Sequence, residues 1–277
     1  MSKGPGLFSE FAKKSRDLLT KDYLCDQKIS IFSTTESGLA LSSNIVKKGS
    51  LSSGYLAAQY KYKKAHVDVK IETETNQVLA SVIINDVLPS TKTIASINFP
   101  DFKSGKLALQ YLHQQASFSA ASGLSETPAL DFSATVGTSS VAFGAEATYA
   151  TSTGNFDKYN AGVSFTNPDY NISAILADKG DSIRVSCMRY LPHLNGGALV
   201  GEISRKFSTN ENTVTVGCSY IVDPQTLVKA KLNNHGNLAT LVQHELKPKS
   251  FLTVSGAFDT KALNDTPKIG MGLSFCA

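Results

Sequence analysis

The chain has 277 residues, 42% of them hydrophobic and only 18% charged, with 27 Lys plus Arg against 23 Asp plus Glu for a net charge of +4. That length suits one large domain or two ordinary ones, and the charged fraction lies below the roughly one quarter usual for soluble domains. The basic excess is small and no arginine-rich block occurs, which excludes a dedicated nucleic-acid binder.

The N-terminus, MSKGPG followed by SEFAKKSRDLL, places charges where a secretory signal carries its apolar stretch, which weighs against secretory export. At 100° per residue, Leu7, Phe8, Phe11, Ala12, Leu18 and Leu19 fall on one arc. Glu10, Lys13, Lys14, Arg16, Asp17 and Lys21 fall on the other. This pattern predicts an amphipathic helix, packed on a core, lying on a surface or running along the wall of a pore.

From residue 25 onward the period changes to two and stays so to the C-terminus. Val67, Val69 and Ile71 alternate with Asp68, Lys70 and Glu72. Leu130, Phe132, Ala134 and Val136 oppose Asp131, Ser133 and Thr135; Val141, Phe143, Ala145, Ala147 and Tyr149 oppose Ala142, Gly144, Glu146 and Thr148. The rule continues with Tyr159, Ala161, Val163 and Phe165, then Val214, Val216, Cys218 and Tyr220. It ends with Val228, Ala230 and Leu232 against Lys229 and Lys231, and with Ile269, Met271, Leu273 and Phe275 against Lys268, Gly270, Gly272 and Ser274. Around 238–244 the pattern leaves the register open. Turn signals separate the segments at 98–101, Ser104-Gly105, Asn167-Pro168-Asp169, 178–181, Asn195-Gly196-Gly197, Asp223-Pro224 and Asn234-His235-Gly236. No helical pattern interrupts 25–277, so a βαβ architecture is excluded.

A soluble sandwich and a membrane barrel both alternate in this way. Three features favour the barrel. The strand windows reach about ten residues, enough to cross a bilayer at a tilt. The polar face is rich in Ser, Thr, Gly and Ala. Tyr60, Tyr62, Phe99, Tyr149, Phe165, Tyr220 and Phe275 sit near strand ends, where aromatic girdles form. No apolar run reaches the ~18 residues of a membrane helix; the densest, 78–88, is broken by Ser81, Asn85 and Asp86.

Signatures of catalysis are missing. No P-loop occurs, Pro100 standing where its first glycine belongs, and there is no G-x-G-x-x-G opening a helix, no H-E-x-x-H and no G-x-S-x-G. The five histidines are isolated, and no carboxylate pair marks itself as acid and base. Cys25, Cys187, Cys218 and Cys276 are far apart and read as ordinary small apolar side chains on strands. The sequons at Asn171 and Asn264 carry no meaning without secretory export. The expectation is a protein that is not an enzyme and has neither metal nor cofactor.

The N-terminal run Lys13-Lys14-Ser15-Arg16-Asp17 with Thr20-Lys21-Asp22-Tyr23 resembles the start of the eukaryotic voltage-dependent anion channels, the mitochondrial porins, and Gly4-Pro5-Gly6-Leu7-Phe8 resembles their plant branch. Tyr220-Ile221-Val222-Asp223-Pro224, Thr226, Ala230-Lys231-Leu232-Asn233-Asn234 and Glu245-Leu246-Lys247-Pro248 resemble the family's C-terminal signature. The final strand, Lys268 to Phe275, is similar to the sorting signal of mitochondrial barrels. The resemblance covers essentially the whole chain. It implies an all-β membrane barrel of about 19 strands, a known family value and not one that the spacing yields. The strands would be antiparallel except for a parallel first and last pair. Residues 1–24 would form a segment with the helix inside the pore, and 25–277 the barrel.

The implied function is a voltage-gated, weakly anion-selective channel of the mitochondrial outer membrane, passing ATP, ADP, phosphate and organic anions, with membrane lipid and a second copy of the chain as further partners. The rival readings are a protein-translocating pore of the same fold and a soluble β-rich binding protein. Lys13, Arg16 and Lys21 occupy positions where the family is basic, and would face the water while Leu7, Phe11 and Leu18 pack on the wall. Strand phase adds Lys61, Lys92, Lys106, Lys229 and Lys231 as lumen charges, with Lys63, Lys70, Arg184, Lys206 and Lys268 at lumen or rim. Asp68, Glu72, Asp131, Glu146 and Glu202 on the same face dilute the preference for anions. Two family features are missing: Ile71 stands near the place of the lipid-facing glutamate of animal members, and their Gly-Leu-Lys nucleotide motif is not present.

Overall fold

The computed structural model describes residues 4–49, 51–192, 196–262 and 266–276. Asn195 of the expected glycine turn, and Asn264 and Asp265 of the second sequon, lie outside the described residues.

A 3₁₀ turn (Phe8–Glu10) and helix α1 (Lys13–Thr20) precede the sheet. The first strands are β1 (Gln27–Thr34), β2 (Leu39–Lys48), β3 (Leu51–Tyr62), β4 (Ala65–Glu72), β5 (Val78–Asn85), β6 (Thr91–Phe99) and β7 (Lys106–Leu112). Then come β8 (Ala116–Gly123), β9 (Ala129–Gly137), β10 (Val141–Ala150), β11 (Asn155–Thr166), β12 (Tyr170–Ala177) and β13 (Ser182–Leu191). The last are β14 (Gly197–Lys206), β15 (Glu211–Asp223), β16 (Thr226–Asn233), β17 (Asn237–Lys247), β18 (Ser250–Asp259) and β19 (Lys268–Cys276).

Each strand pairs antiparallel with its neighbour in sequence, and β1 pairs parallel with β19, so the 19-stranded sheet closes on itself. The seam follows from arithmetic. In an up-and-down meander odd strands all run one way, so a first and a last odd strand meet in parallel. Gln27 faces Met271 and Phe32 faces Cys276 across it.

One face of the sheet is the inside. Gly144, Gly162, Gly217 and Gly270 all lie against the N-terminal segment, so the residues in phase with them line the interior. The other face carries Phe143, Val216, Ile269 and Met271, all exposed, as a lipid-facing wall requires. The alternation assigns these faces as expected on β4, β9, β10, β11, β15, β16 and β19. The open stretch 238–244 also resolves. Pairing with β16 and β18 puts Leu238, Thr240, Val242 and His244 outward, and Ala239, Leu241 and Gln243 inward. Leu241 is fully buried on the inner face, which explains why no simple alternation marks β17.

Outward-facing aromatics gather at the strand ends. Tyr60 and Tyr62, Phe165 and Tyr170, and Tyr149 and Phe156 form close ring pairs there. These girdles set the band that the hydrocarbon occupies.

Three sequence expectations change. The helix is shorter than the 7–21 arc suggests, because Ala12 adopts a left-handed conformation (φ 56°) and separates the 3₁₀ turn from α1. The cause is the concave wall: one straight rod cannot seat Phe8 on β10 and β11 and also Leu18 and Leu19 on β13 to β15. Leu7, assigned to the packing face, is only half-buried, while Phe8, Phe11, Ser15, Leu18 and Leu19 are buried. Cys25 precedes β1 and so does not lie on a strand; Lys63, expected at lumen or rim, occupies the tight turn between β3 and β4 (φ 50°).

The facing pattern makes a quantitative prediction. Val82→Arg puts a cation on the outer face of β5 and should destabilise the inserted barrel by about 2–4 kcal/mol. Ser81→Arg, one residue away on the inner face, should cost far less. Equilibrium folding into lipid vesicles reads the difference; equal costs would contradict the assigned faces, and a larger cost at Ser81 would reverse them.

Candidate functional site

The interior is organised by the N-terminal segment, which crosses the wall from β8 to β19 and is seated at several points. The wall yields to it through glycine. A Cβ on Gly144 would lie 2.6 Å from the Phe8 ring, and one on Gly217 2.6 Å from a Leu19 methyl. Leu24 lies over Gly270 and Gly272 in the same way. Leu18 and Leu19 then pack with Met188, Ala198 and Val200, and Phe8 and Phe11 pack with Ala142 and Ile175.

Polar ties fasten the same path. The Thr135 hydroxyl donates to the Gly6 carbonyl at 2.7 Å. Ser255 donates to the Leu24 carbonyl. Lys231 Nζ donates to the Leu19 carbonyl at 2.7 Å and stands 4.4 Å from the centre of the Tyr23 ring. Lys229 lies 3.5 Å from Asp22 with little of its side chain exposed. A cation at the last turn of α1 faces the negative end of the helix dipole, which adds to the hydrogen bond. Burial pushes the Tyr23 hydroxyl up to about 12, with a smaller contribution from Cys218, so it stays neutral at working pH.

Lys13, Arg16 and Lys21 are exposed on the opposite side of the segment, towards the open lumen. Lys14 stands 5.6 Å from the centre of the Tyr190 ring. Arg16 lines a cavity of about 710 Å³ together with Lys158, Arg184, Lys206, Glu146 and Glu211. Lys158 and Glu146 are 3.5 Å apart, and Arg184 and Glu202 3.7 Å, so these wall charges largely offset one another. In a wet lumen such pairs are worth little in stability; their effect is to dilute the field.

The expected lumen lysines therefore divide into three groups. Lys61, Lys92, Lys106 and Lys268 have inward phase and no ion pair among the described residues. Lys229 and Lys231 also point inward, but both are engaged in holding the segment. Lys70 is inward and pairs with Glu72 at 2.5 Å. Sequence reasoning missed Lys28 and Lys158. Both were accessible to the period-two rule, Lys28 through its alternation with Ile29 and Ile31, and Lys158 through its phase with Asn160 and Gly162. It also missed the tying role of Lys229 and Lys231, which no local pattern reveals because their partners are more than 200 residues away.

Comparison with known proteins supplies the frame. The family model described as eukaryotic porin matches residues 4–270. The mitochondrial outer membrane protein porin 5 of Oryza sativa subsp. japonica is 51% identical over 272 residues, covering 98% of each chain. The mitochondrial outer membrane protein porin 2 of Arabidopsis thaliana is 52% identical over 274 residues, covering 99% of each. Among solved structures, a mutant of the Rh. blastica porin aligns with a TM-score of 0.50 at 10% identity, covering 79% of this chain and 88% of that one, a likeness of fold.

The ties at the end of α1 can be tested directly. Lys231→Met leaves the Leu19 carbonyl without its donor, a loss of about 1–3 kcal/mol at a group charged on one side. A nitroxide placed at position 21 should become markedly more mobile in the variant than in the parent chain. An unchanged spectrum would show that Lys231 does not hold the segment.

Proposed function

The chain belongs to the eukaryotic porin family, and we propose that its pore discriminates and gates through the cationic side of the segment fixed along its inner wall. The protein is a voltage-dependent channel for small metabolites in the mitochondrial outer membrane, and not an enzyme. The finer reading concerns which residues act. Residues 1–24 serve as a pore element within the 25–277 barrel, and Lys13, Arg16 and Lys21 present their charge to solutes at the narrowed section. Lys61, Lys92 and Lys106 extend that field along the bare part of the wall. Lys229 and Lys231 contribute to it indirectly, by keeping the segment in place.

The observation that carries this reading is the two-sidedness of the segment: apolar residues and backbone carbonyls bound to the wall, basic residues exposed to the lumen. Fixed cations in a low-dielectric cylinder raise the local concentration of ATP, ADP, phosphate and organic anions. Acidic neighbours such as Asp68, Glu146 and Glu202 keep the preference for anions mild. Moving one charge through 100 mV is worth about 2.3 kcal/mol, so partial displacement of a few such charges suffices for voltage dependence. Lipid contacts the outer face, where a second copy of the chain can also pack. A segment strapped across the interior narrows the passage, which argues against transit of unfolded polypeptide. The apolar outer face argues against a soluble binding protein.

Neutralising Lys13, Arg16 and Lys21 together, as Gln, should shift the reversal potential in a salt gradient towards zero and flatten the conductance–voltage curve. Planar-bilayer recording reads both. Unchanged reversal potential and gating slope in the triple variant would refute the assignment.

A further inference from the structure

On the wall that the helical elements leave bare, β5 and β6 break the pattern of the barrel. Pairing places Val82 and Ile84 outward, yet Leu79, Ile83 and Ile94 face the lumen. Ile83 stands opposite Ile94, Ile94 opposite Ala108, and Ala108 opposite Ala121. A continuous apolar row therefore crosses four strands of the wall that the helical elements leave uncovered, a strip ~14 Å long at the usual strand spacing. A strand that is apolar on both faces is normally covered on both. Here the outer face meets lipid. The N-terminal segment packs instead on β9, β10 and β13 to β15.

In line, the row ends at His66 on β4 and at Asp131 on β9, whose carboxylate accepts from the Thr148 hydroxyl; two cations flank it along the strands. Lys92 lies two residues from Ile94 along β6, and Lys106 two residues from Ala108 along β7, each ~7 Å from the row along the strand. Neither has an ion pair or a side-chain hydrogen bond among the described residues, whereas Lys70, Lys103, Lys158, Arg184 and Lys229 all stand near acidic partners. At the Lys92 end, a cavity of about 500 Å³ opens between Gly4 and Gly6 of the segment and Asn85, Thr91 and Leu112 of the wall. An apolar strip with free positive charge at its margins and a polar recess at one end fits one class of solute.

We propose that the inner face of β5 to β8 is a binding subsite for amphiphilic organic anions. The anionic head is held at Lys92 or Lys106 and the apolar body lies along Ile83, Ile94 and Ala108. This inference rests on the channel reading and adds to it a preference by chain length among solutes of equal charge. The chemistry is that of a carboxylate or sulfonate carrying several methylene groups. Burial of one methylene favours binding about fourfold when complete, and roughly twofold when one side stays wet.

Alkylsulfonates test the idea because they stay ionised and enter the bilayer poorly. In single-channel recording in KCl, hexanesulfonate should block the open pore at a concentration at least tenfold lower than methanesulfonate. Replacing both Ile83 and Ile94 by Thr keeps branching at Cβ and hence the strands, and should bring the ratio to within about twofold. Open conductance in KCl should stay the same. Lys92→Gln with Lys106→Gln should weaken block by both sulfonates while keeping their ratio. Equal block by the two sulfonates in the parent channel, or a ratio that survives the Thr substitutions, would overturn the subsite and leave the channel reading standing. A protein that gives no conductance steps in KCl would overturn both.

Discussion

Hydrocarbon offers the backbone no hydrogen-bond partner, and that single constraint shapes this molecule. Every N–H and C=O within the bilayer must be satisfied by the chain itself, so a sheet that crosses a membrane has to close. Closure here falls to β1 and β19, which meet in parallel because an odd number of strands leaves no antiparallel choice. Once the cylinder is shut, everything else follows from which way alternate residues point. The outward set becomes an apolar band with aromatic margins. The inward set becomes a channel lining of small polar residues and scattered charge.

A closed cylinder of this size would be a wide aqueous hole, and the N-terminal segment modifies it. Glycines on the inner face let Phe8, Leu19 and Leu24 approach the backbone closely, and the Thr135 and Ser255 hydroxyls and Lys231 satisfy carbonyls that the segment exposes. The wall thus fixes the path of the segment, and the path fixes where Lys13, Arg16 and Lys21 stand. On the proposed reading, selectivity is a property of how the segment is seated as much as of how many lysines the chain contains. Gly217 and Lys231 enter that reading through their contacts with Leu19.

Much of this was legible in the sequence, for a definite reason. Where one face meets lipid and the other water, period two is enforced residue by residue; 129–136, 141–149 and 268–275 therefore disclose their facing without help. The pattern fails where a third environment intrudes. Leu241 faces inward yet is buried, so β17 reads as nearly uniform. Leu79 and Ile83 face inward and are apolar, so 78–84 reads as a dense apolar run interrupted only at Ser81. The break at Ala12 was hidden because helical periodicity records which residues are apolar, and the curvature of the wall they meet is not written there. The strand number came from resemblance, since spacing alone bounds it only loosely.

The seam offers the most direct measurement of the whole account. In a chain freed of its native cysteines, Ile29→Cys with Leu273→Cys and, separately, Ile31→Cys with Phe275→Cys place thiols on directly paired positions of adjacent strands. Adjacent strands lie about 4.8 Å apart. Both pairs should cross-link readily in membranes, because a parallel register keeps the two positions in step. Cross-linking of only one pair, or of neither, would contradict a barrel closed by parallel β1 and β19.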